Sequence, residues 1–351
     1  MPTKTRILLG MSGGTDSSVA AILLQQAGYE VIGVTFRFYE HNSDQHYLEK
    51  AKNMADFLHI PHYVVDKREE FSHIVIQNFV DEYMAGRTPF PCVHCNMHVK
   101  WISLLEQAAL LNCSYIATGH YANCIENQGI TYITKGIDDS KDQTFFLWGM
   151  PDEAIQRVVF PLGSYRYKEV HALAKKHALP IVQGNKNSVG ACFCPSDYRP
   201  FLKELAKAQN LPIKKGVFTD EIGEIIGSHQ GYPFYTIGQR RGLGVQHTKP
   251  LYVQKIDKQS NIITLAEKTA CYQSTIEVEQ LIYRHESDLQ QNLIAKIQYR
   301  KQASCCTLTL HNEHTATIVL HTPATGIAKG QSIVLYDNER LIGGGVVENA
   351  Y

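Results

Sequence analysis

Residues 6–24 read RILLGMSGGTDSSVAAILL, in which a glycine-rich turn separates two apolar runs. The first run predicts a buried β-strand, and the second predicts a helix that begins directly after the turn. Adjacent glycines let backbone N–H groups converge on phosphate oxygens, and the N-terminus of the helix adds partial positive charge. The alternative is an ordinary turn with a serine N-cap, which requires neither two glycines nor an acid. The segment therefore indicates a site for a nucleotide phosphate.

The turn itself, SGGTDSS at residues 12–18, differs from the Walker phosphate loop and from the dinucleotide fingerprint. It resembles the pyrophosphate loop of the ATP pyrophosphatase superfamily, whose members cleave ATP to AMP and pyrophosphate while adenylating an oxygen. Asp16 is a candidate ligand for Mg²⁺ against those phosphates, because a carboxylate is a hard oxygen ligand for a hard cation. This resemblance predicts a chemistry but not a substrate.

Short apolar runs alternate with helical patterns through the first 120 residues, which predicts parallel strands joined by crossover helices. A further apolar strand at 114–118 ends in Gly119-His120. Because ligands of open parallel sheets bind at the carboxyl ends of the strands, we expect residues 11–17 and Gly119-His120 to face one crevice. The other elements predicted in this region are strands at 31–36 and 63–66 and helices at 17–27 and 48–58.

The pattern changes after a polar stretch at 183–188 and a helix predicted at 198–209. From residue 216 onward, β-rich runs are broken by Gly, Asn and Asp turns, which predicts small β domains. The predicted domains are an α/β catalytic domain at 1–200, a central β-rich domain at 201–272 and a C-terminal β-barrel at 273–351. Their predicted strands lie at 251–256, 262–266, 293–299, 306–310, 315–320 and 332–336.

Composition limits the class of protein. Thirty-four basic residues balance thirty-four acidic ones, which argues against binding nucleic acid by net charge and leaves only a local basic patch. No charged-then-apolar leader and no run of about 18 apolar residues is present, so we expect neither export nor membrane insertion but a cytoplasmic protein. Nine cysteines in such a chain indicate reduced thiols rather than a disulfide framework.

Two cysteine pairs stand out, PCVHCN at 91–96 and GACFCP at 190–195, both in loop-like sequence. A lone cysteine is usually a buried small hydrophobe, but two pairs flanked by glycine and proline favour a chemical role. The four thiols also form a candidate tetrathiolate set for zinc or an iron–sulfur cluster. Against zinc, the second pair has a single intervening residue, short of the usual spacing.

With these segments in view, the chain resembles the tRNA-specific 2-thiouridylase family, the bacterial MnmA type, over nearly its whole length. The resemblance implies an adenine nucleotide alpha hydrolase-like sheet domain, a central domain that contacts tRNA and a C-terminal β-barrel. It also implies ATP-dependent adenylation of the wobble uridine and sulfur transfer from a cysteine persulfide, giving 2-thiouridine, AMP and pyrophosphate. Further matching segments are residues 86–89, 117–121, 141–143, 190–193, 229–231, 235–244, 299–300, 330–332 and 343–345.

The resemblance assigns three catalytic residues: Cys95 as nucleophile, Cys192 as persulfide carrier and Asp16 at the nucleotide. A uridine carbonyl is a poor electrophile, so adenylation first makes AMP a leaving group that a sulfur nucleophile can displace. Cys95 would free the sulfur either by attacking the persulfide, which leaves a disulfide, or by helping to release hydrosulfide. Because the thiolate is the reacting species, we expect local positive charge to depress the pKa of one or both thiols.

The resemblance also implies the ligands and their contacts. These are ATP with Mg²⁺, tRNA, and a sulfur-donor protein such as a cysteine desulfurase or a relay protein; an iron–sulfur centre is an alternative that we do not favour. Phe36 is equally a natural core residue, Phe90 departs from the Asn common in the family, and Cys92 occupies a position where members have Asp or Cys. The implied ATP contacts are Gly10, Met11, Ser12, Gly13, Gly14, Thr15, Asp16, Ser17, Phe36 and Gly119, and the implied tRNA contacts are Phe90, Pro91, Cys92, His120, Lys141, Asp142, Gln143, Tyr299, Arg300 and Gln331.

Other polar and sulfur residues are interpreted as structural or as ordinary surface. Basic pairs at 175–176, 214–215, 240–241 and 300–301 are solvated pairs by charge alone, and only the resemblance makes them an RNA surface. Rival functions are another pyrophosphate-loop enzyme, such as a 4-thiouridine synthase or a small-molecule synthetase, and an RNA-binding protein with an inactive nucleotide domain. His94 and His98, within and just after the first cysteine pair, are interpreted as surface residues, with tuning of that pair as the alternative. The residues interpreted as structural are Cys113, Cys124, Cys271, Cys305 and Cys306.

Overall fold

The computed structural model describes residues 4–40, 45–180, 190–194, 196–290, 293–300 and 303–351. They form two compact units. The first comprises Met1–Val75, Cys92–Phe193 and Glu339–Leu341, and the second comprises Ile76–Pro91, Cys194–Asn338 and Ile342–Tyr351. The polar stretch predicted at 183–188 lies outside the described residues, as does Lys301 of the last basic pair. The domain boundaries near 200 and 272 stay a prediction.

The first unit is built on a five-stranded parallel sheet in the order β3-β2-β1-β4-β7. Its central strand β1 is apolar because both of its faces are covered, and Ile7, Leu8 and Leu9 are fully buried. The predicted parallel sheet is therefore confirmed. The strands are β1 (Arg6–Gly10), β2 (Glu30–Arg37), β3 (His62–Asp66), β4 (Tyr115–Ala117) and β7 (Val158–Val159), with the hairpin β5 (Ala122–Asn127) and β6 (Ile130–Lys135).

Each helix that the sequence predicted begins and ends close to its predicted bounds. Helix α1 buries Val19, Ala20 and Leu24 in the core that it shares with β1. Two stretches are π-helical turns, Ser72–Ile76 and Asn96–Lys100. The α-helices are α1 (Thr15–Gln26), α2 (His46–Phe57), α3 (Arg68–Phe71), α4 (Gln77–Met84), α5 (Pro91–Cys95), α6 (Trp101–Leu110), α7 (Asp152–Arg157), α8 (Tyr167–Lys176) and α9 (Tyr198–Ala208).

The second unit holds the β-rich part of the chain, as predicted. One sheet has the order β10-β11-β8-β9, and the last six strands close into an antiparallel barrel because β12 pairs with both β15 and β17. The strands are β8 (Gly216–Thr219), β9 (Ile225–His229), β10 (Leu251–Asp257), β11 (Ile262–Glu267), β12 (Tyr272–Tyr283), β13 (Ile294–Lys296), β14 (Ser304–Asn312), β15 (Thr315–Thr325), β16 (Ser332–Asp337) and β17 (Arg340–Ala350).

Several strands were not predicted, and one was predicted too long. The predicted strand at 293–299 is β13, which spans only Ile294–Lys296. Strand β12 escaped prediction because polar residues alternate along it with the buried Ile276 and Val278. Strand β17 escaped because of its glycines, which weaken a strand pattern. Those glycines let β17 approach β12 closely, since a Cβ on Gly343 would overlap the β12 backbone.

A partly buried arginine, Arg87, holds the matching segment 86–89 in place within the second unit. Arg87 donates to Glu82 at 2.8 Å and pairs with Glu279 and Glu348 on two barrel strands. These three carboxylates raise the pKa of Arg87 against the opposing effect of burial, which is the largest single influence. Arg87 therefore has a structural role in this unit.

One further property concerns membranes. Across the described ranges, none of the helices combines the length and the hydropathy that a membrane span needs.

Candidate active site

A cavity of about 380 Å³ lies in the first unit, where β1, β2 and β4 end and α1 begins. Met11, Ser12, Asp16 and Ser17 line it together with Gly119-His120, so the predicted shared crevice is confirmed for these residues. Gly13, Gly14 and Thr15 of the same turn are not among the lining residues. Cavities of this size suit small-molecule ligands. The lining residues are Gly10, Met11, Ser12, Asp16, Ser17, Val34, Thr35, Phe36, Phe38, Tyr47, Lys100, Leu104, Thr118, Gly119, His120 and Gln143.

The turn leaves the N-terminus of α1 open. The N-cap residue is Gly14, and no side chain of the described residues caps the helix there. The hydroxyls of Ser17 and Ser18 donate instead to the Gly14 carbonyl, at 3.1 and 2.8 Å. The serine N-cap considered as an alternative is therefore not the arrangement, and the first-turn N–H groups form an anion-binding end.

Two glycines of this region permit close backbone approach. Gly13 has a φ of +68°, and a Cβ there would lie 2.7 Å from the backbone of Lys50 and Ala51. A Cβ on Gly119 would lie 2.9 Å from the backbone nitrogen of Ser17. Both distances are shorter than van der Waals contact allows, so larger side chains at these positions would push apart the segments that form the cavity.

Asp16 is partly buried at the first turn of α1. The Tyr121 hydroxyl donates to Asp16 Oδ1 at 2.9 Å. Burial raises the pKa of Asp16, and the Tyr121 hydrogen bond and the charges of Lys141 and His171 oppose that rise. The sequence reasoning quoted Tyr121 only as part of a matching segment. Its position directly after Gly119-His120 was the signal that could have placed it beside the acid.

Phe36, which was interpreted equally as core or as site, is half-buried and lines the cavity. Its ring stacks on Phe38 with centroids 5.5 Å apart, and Phe38 stacks in turn on the buried Phe71. One wall of the cavity is thus an aromatic shelf anchored in the core.

The thiols Cys92, Cys95 and Cys192 form a cluster in the first unit, which we call the thiol cluster. Cys92 and Cys95 lie on α5 rather than in the loop that the sequence predicted. Cys192 lies in a turn whose next residue, Phe193, is buried and packs edge-on against Phe71, with centroids 5.9 Å apart. Lys100, which also lines the cavity, lies near enough to all three sulfur atoms for the thiolate forms to raise its pKa.

Desolvation, not positive charge, has the largest effect on the pKa of each of these thiols. It raises the pKa of Cys95, which is partly buried, to about 12. The side chains of Cys92 and Cys192 are exposed to solvent on one side, and the protein around them still raises their pKa, that of Cys192 to about 11. Lys100 lowers all three but does not offset burial. The expectation of a depressed thiol pKa is therefore wrong for this conformation, in which the thiols are protonated at neutral pH.

Lys100 is the site residue that sequence reasoning missed. It ends the π-helical turn, and its ammonium lies 5.9 Å from the ring centroid of the fully buried Trp101. No motif singled it out, because an isolated lysine in an apolar helix gives no signal. Lys100 is recognised as a site residue only in the folded chain, where it lines the cavity and lies near the thiol cluster.

Histidines and other cysteines near these segments depart partly from expectation. His94 is not a simple surface residue, because burial and the neighbouring His98 lower its pKa to about 4, and the two rings lie 4.4 Å apart. Cys305 is exposed and so is not a core residue, whereas Cys113, Cys271 and Cys306 are buried and Cys124 is partly buried. All nine cysteines lie in the described ranges and are free thiols.

The residues implied to contact tRNA occur in both units. In the first unit, His120 Nδ1 lies 2.7 Å from Thr118 Oγ1, and burial lowers its pKa well below the usual value. Lys141 lies over the Tyr167 ring at 3.9 Å, and Gln143 accepts from the Tyr121 N–H at 3.2 Å.

Asp142 is a special case among them, because it is 4% exposed and its Oδ1 accepts from the Thr144 hydroxyl at 2.6 Å. That contact holds a local turn. The remaining implied contacts differ in exposure: Cys92 and Arg300 are exposed, while Phe90, Pro91, Tyr299 and Gln331 are partly buried. The paired basic residues at 175–176, 214–215 and 240–241 are exposed.

The proposed tetrathiolate set is not assembled in the residues that the structure describes. Within them, no group of three or more His, Cys, Asp or Glu side chains has an arrangement that could hold a metal ion. The side chains present therefore do not fit an iron–sulfur cluster or a zinc ion.

A parallel sheet with this glycine turn and acid at its carboxyl edge defines an ATP-utilising enzyme of the pyrophosphate-loop class. Residues 5–196 match the tRNA methyl transferase HUP domain, residues 202–267 the tRNA methyl transferase PRC-barrel domain, and residues 273–347 the aminomethyltransferase beta-barrel domain.

Curated relatives agree over the full length. The chain is 43% identical to tRNA-specific 2-thiouridylase MnmA 2 of Phocaeicola vulgatus, over 98% of each chain. It is 44% identical to MnmA 1 of Bacteroides fragilis, over 99% of this chain and 98% of the relative. It is 37% identical to MnmA of Cytophaga hutchinsonii, over 100% and 99%. The chain belongs to the tRNA-specific 2-thiouridylase family, which confirms the resemblance drawn from its motifs.

Proposed function

We propose that this chain synthesises 2-thiouridine at the wobble position of tRNA in the cytoplasm. ATP adenylates the uridine O2, and sulfur from a persulfide on Cys192 then displaces AMP. Family membership supports the reaction, and one observation carries it: Lys100 lines the nucleotide cavity and interacts with all three cluster thiols. An adenylated base and a sulfur carrier therefore have adjacent sites in one unit.

The nucleotide half of the reaction uses the open end of α1. Its backbone N–H groups bind phosphate oxygens. Gly13 and Gly119 allow neighbouring backbone segments to approach this end of the helix closely, which keeps the N–H groups near the phosphates. Asp16 fits a Mg²⁺ site, since such sites commonly combine one or two carboxylates with substrate phosphates. When bound, the ion would supply charge neutralisation at the phosphates. Tyr121 holds the carboxylate in place.

The sulfur half of the reaction uses two thiols in sequence. The terminal sulfur of the Cys192 persulfide attacks C2 of the adenylated uridine, forming a C–S bond as the C–O bond to AMP breaks. The thiolate of Cys95 then attacks the Sγ of Cys192 and breaks the S–S bond. The electron pair stays on the sulfur at C2, N3 takes a proton to give 2-thiouridine, and a Cys95–Cys192 disulfide remains. A thiol reductant and a persulfide-donor protein restore the enzyme.

The tRNA contacts are proposed on the family's pattern. Exposed Arg300 and the exposed basic pairs suit phosphate binding. Phe90 precedes α5 and Pro91 begins it, one residue before Cys92, which suits a place near an extruded base. His120, Lys141, Gln143, Tyr299 and Gln331 complete the proposed set, and Asp142 would act through the turn that it holds.

One reconstitution tests the function. The full chain is incubated with ATP, Mg²⁺, a persulfide donor and bulk tRNA, and AMP, pyrophosphate and thionucleosides are measured. We expect 2-thiouridine in proportion to AMP. Formation of 4-thiouridine, or of AMP without any thionucleoside, would instead support another pyrophosphate-loop enzyme. Iron and sulfide are measured in the same anaerobic preparation, and activity that rises with bound iron would contradict the persulfide route.

A further inference from the structure

Lys100 lies at the junction of two sites that the proposed reaction must connect. Its side chain lines the nucleotide cavity together with the phosphate-binding turn. Its charge also interacts with Cys92, Cys95 and Cys192, the three members of the thiol cluster.

The π-helical turn explains why Lys100 reaches the cluster. In a regular α-helix, residues five apart lie about 140° apart around the axis, so Cys95 and Lys100 would face different directions. In a π-helical turn the hydrogen bonds run from residue i to i+5, which brings such residues onto one side. The buried Asn96 steadies the turn, because its Nδ2 donates to the Phe146 carbonyl at 2.9 Å.

We propose that Lys100 is the counter-ion of the sulfur nucleophile: its amine takes the proton of the Cys192 persulfide and its ammonium pairs with the terminal sulfur anion beside the nucleotide cavity. This inference rests on the proposed function. The step is balanced: the S–H bond of the persulfide breaks, the electron pair stays on sulfur, and the proton forms an N–H bond on Lys100. No oxidant or reductant is needed.

The electrostatics of the cluster support this assignment. Desolvation lowers the pKa of the partly buried Lys100 and raises the pKa of the partly buried Cys95, so either charge alone is unfavourable there. The pKa of Cys192 is raised in the same direction, although its side chain is exposed on one side. An ammonium and a sulfur anion formed together stabilise each other, more strongly here than in water. His120, whose charge also interacts with Lys100, has a strongly lowered pKa from burial and is neutral, so it does not compete for the role of cation.

The assignment predicts a split between the two half-reactions. In Lys100→Met the aliphatic stem still packs on Trp101, but the charge is lost. With Cys192 preloaded from labelled inorganic polysulfide, the single-turnover rate of 2-thiouridine formation should fall about 10²-fold, the typical cost of losing one aimed charge-stabilising group. Pyrophosphate release in the same turnover should fall by less than the transfer rate, because Lys100 is only one of the residues that line the nucleotide cavity. Lys100→Arg should recover much of the transfer rate, and Lys203→Met, on an exposed position of α9, should match the wild type.

A second readout needs no tRNA. Alkylation of Cys95 and Cys192 by iodoacetamide, followed by mass spectrometry at pH 8, should slow about tenfold in Lys100→Met, because less thiolate forms without the cation. Thermal unfolding and circular dichroism confirm that each variant is folded.

Three results would overturn the proposal: wild-type transfer and alkylation rates in Lys100→Met, equal loss of pyrophosphate release and transfer, or a folded Lys100→Arg as slow as Lys100→Met. If the wild-type chain makes no 2-thiouridine, the proposed function fails, and the alkylation rates still decide the role of Lys100.

Discussion

The nucleotide end and the thiol cluster differ in what builds them. The nucleotide end consists of backbone: glycines, an uncapped helix N-terminus and one acid, all within residues 10–17 and 119. The thiol cluster consists of side chains from two segments that are distant in sequence, and desolvation raises the pKa of Cys95 and Cys192 there. The open helix N-terminus has the character of an anion site, whereas the thiols have raised pKa values. In the proposed reaction, the thiol end would therefore need a charged partner before it reacts.

The largest expected effect separates the two thiols. Cys192→Ser should fail to accept labelled sulfur from a persulfide donor, whereas Cys95→Ser should accept it without completing transfer, because only Cys192 carries the sulfur in the proposed route. Each variant should lower 2-thiouridine formation by roughly 10³-fold or more. Gel autoradiography and nucleoside mass spectrometry measure the two steps. A Cys192→Ser enzyme with normal turnover would remove that residue from the mechanism, and Cys305→Ser serves as the control because it is exposed on the barrel.

The next effect isolates the nucleotide end. Asp16→Asn should lower AMP formation by about 10²–10³-fold, the range seen when one charge-stabilising group is removed from a site. Binding of tRNA should stay near the wild-type value, because Asp16 lies in the cavity at the start of α1. Filter binding with labelled tRNA and chromatography of AMP measure both quantities. Equal loss of AMP formation and of tRNA binding would mean that Asp16 serves tRNA binding as well as the nucleotide.

Two glycines with positive φ form a matched pair. Gly13→Ala and Gly28→Ala both place a side chain in the left-handed region, at φ +68° and +92°, which costs about 1–2 kcal/mol. Only Gly13 also meets backbone, at 2.7 Å, whereas Gly28 has open space. We expect Gly13→Ala to lose a further amount of about 1–3 kcal/mol and to weaken ATP binding, measured by thermal unfolding and calorimetry. Similar losses in the two variants would show that close packing at Gly13 is unimportant.

The smallest effect concerns pH. The hydrogen bond from Tyr121 lowers the pKa of Asp16 against the rise caused by burial. Tyr121→Phe removes that opposition, so the carboxyl keeps its proton to higher pH and the acid limb of AMP formation should move upward. Because a hydrogen bond to a charged group contributes about 1.5–3 kcal/mol, the loss should be smaller than in Asp16→Asn and should shrink as pH rises. If the acid limb does not move, Tyr121 does not influence the pKa of Asp16.

Much of the first unit was predictable because its signals are local. Strand β1 and helix α1 follow from one continuous stretch. In the second unit, helix α9 was likewise predicted to within one residue of its end. The barrel was predicted as β-rich but incompletely, because β12 and β17 pair with each other across a long separation in sequence, and β12 pairs also with β15. When glycine or polar residues interrupt a strand, its own sequence lacks the hydrophobic alternation that predicts a strand. Its pairing then depends on a partner about 70 residues away, which local sequence cannot reveal.

The sequence by itself determined the phosphate-binding turn, the parallel sheet, the shared crevice and the family. Each depends on residue types at fixed spacing, and the backbone conformations that those residues permit follow from the chain alone. Only the tertiary structure decided that Cys95 and Cys192 are protonated, that Tyr121 holds Asp16, and that Lys100 faces both ends of the site. A pKa sums desolvation and charge over neighbours brought together by folding, so no local pattern can specify it.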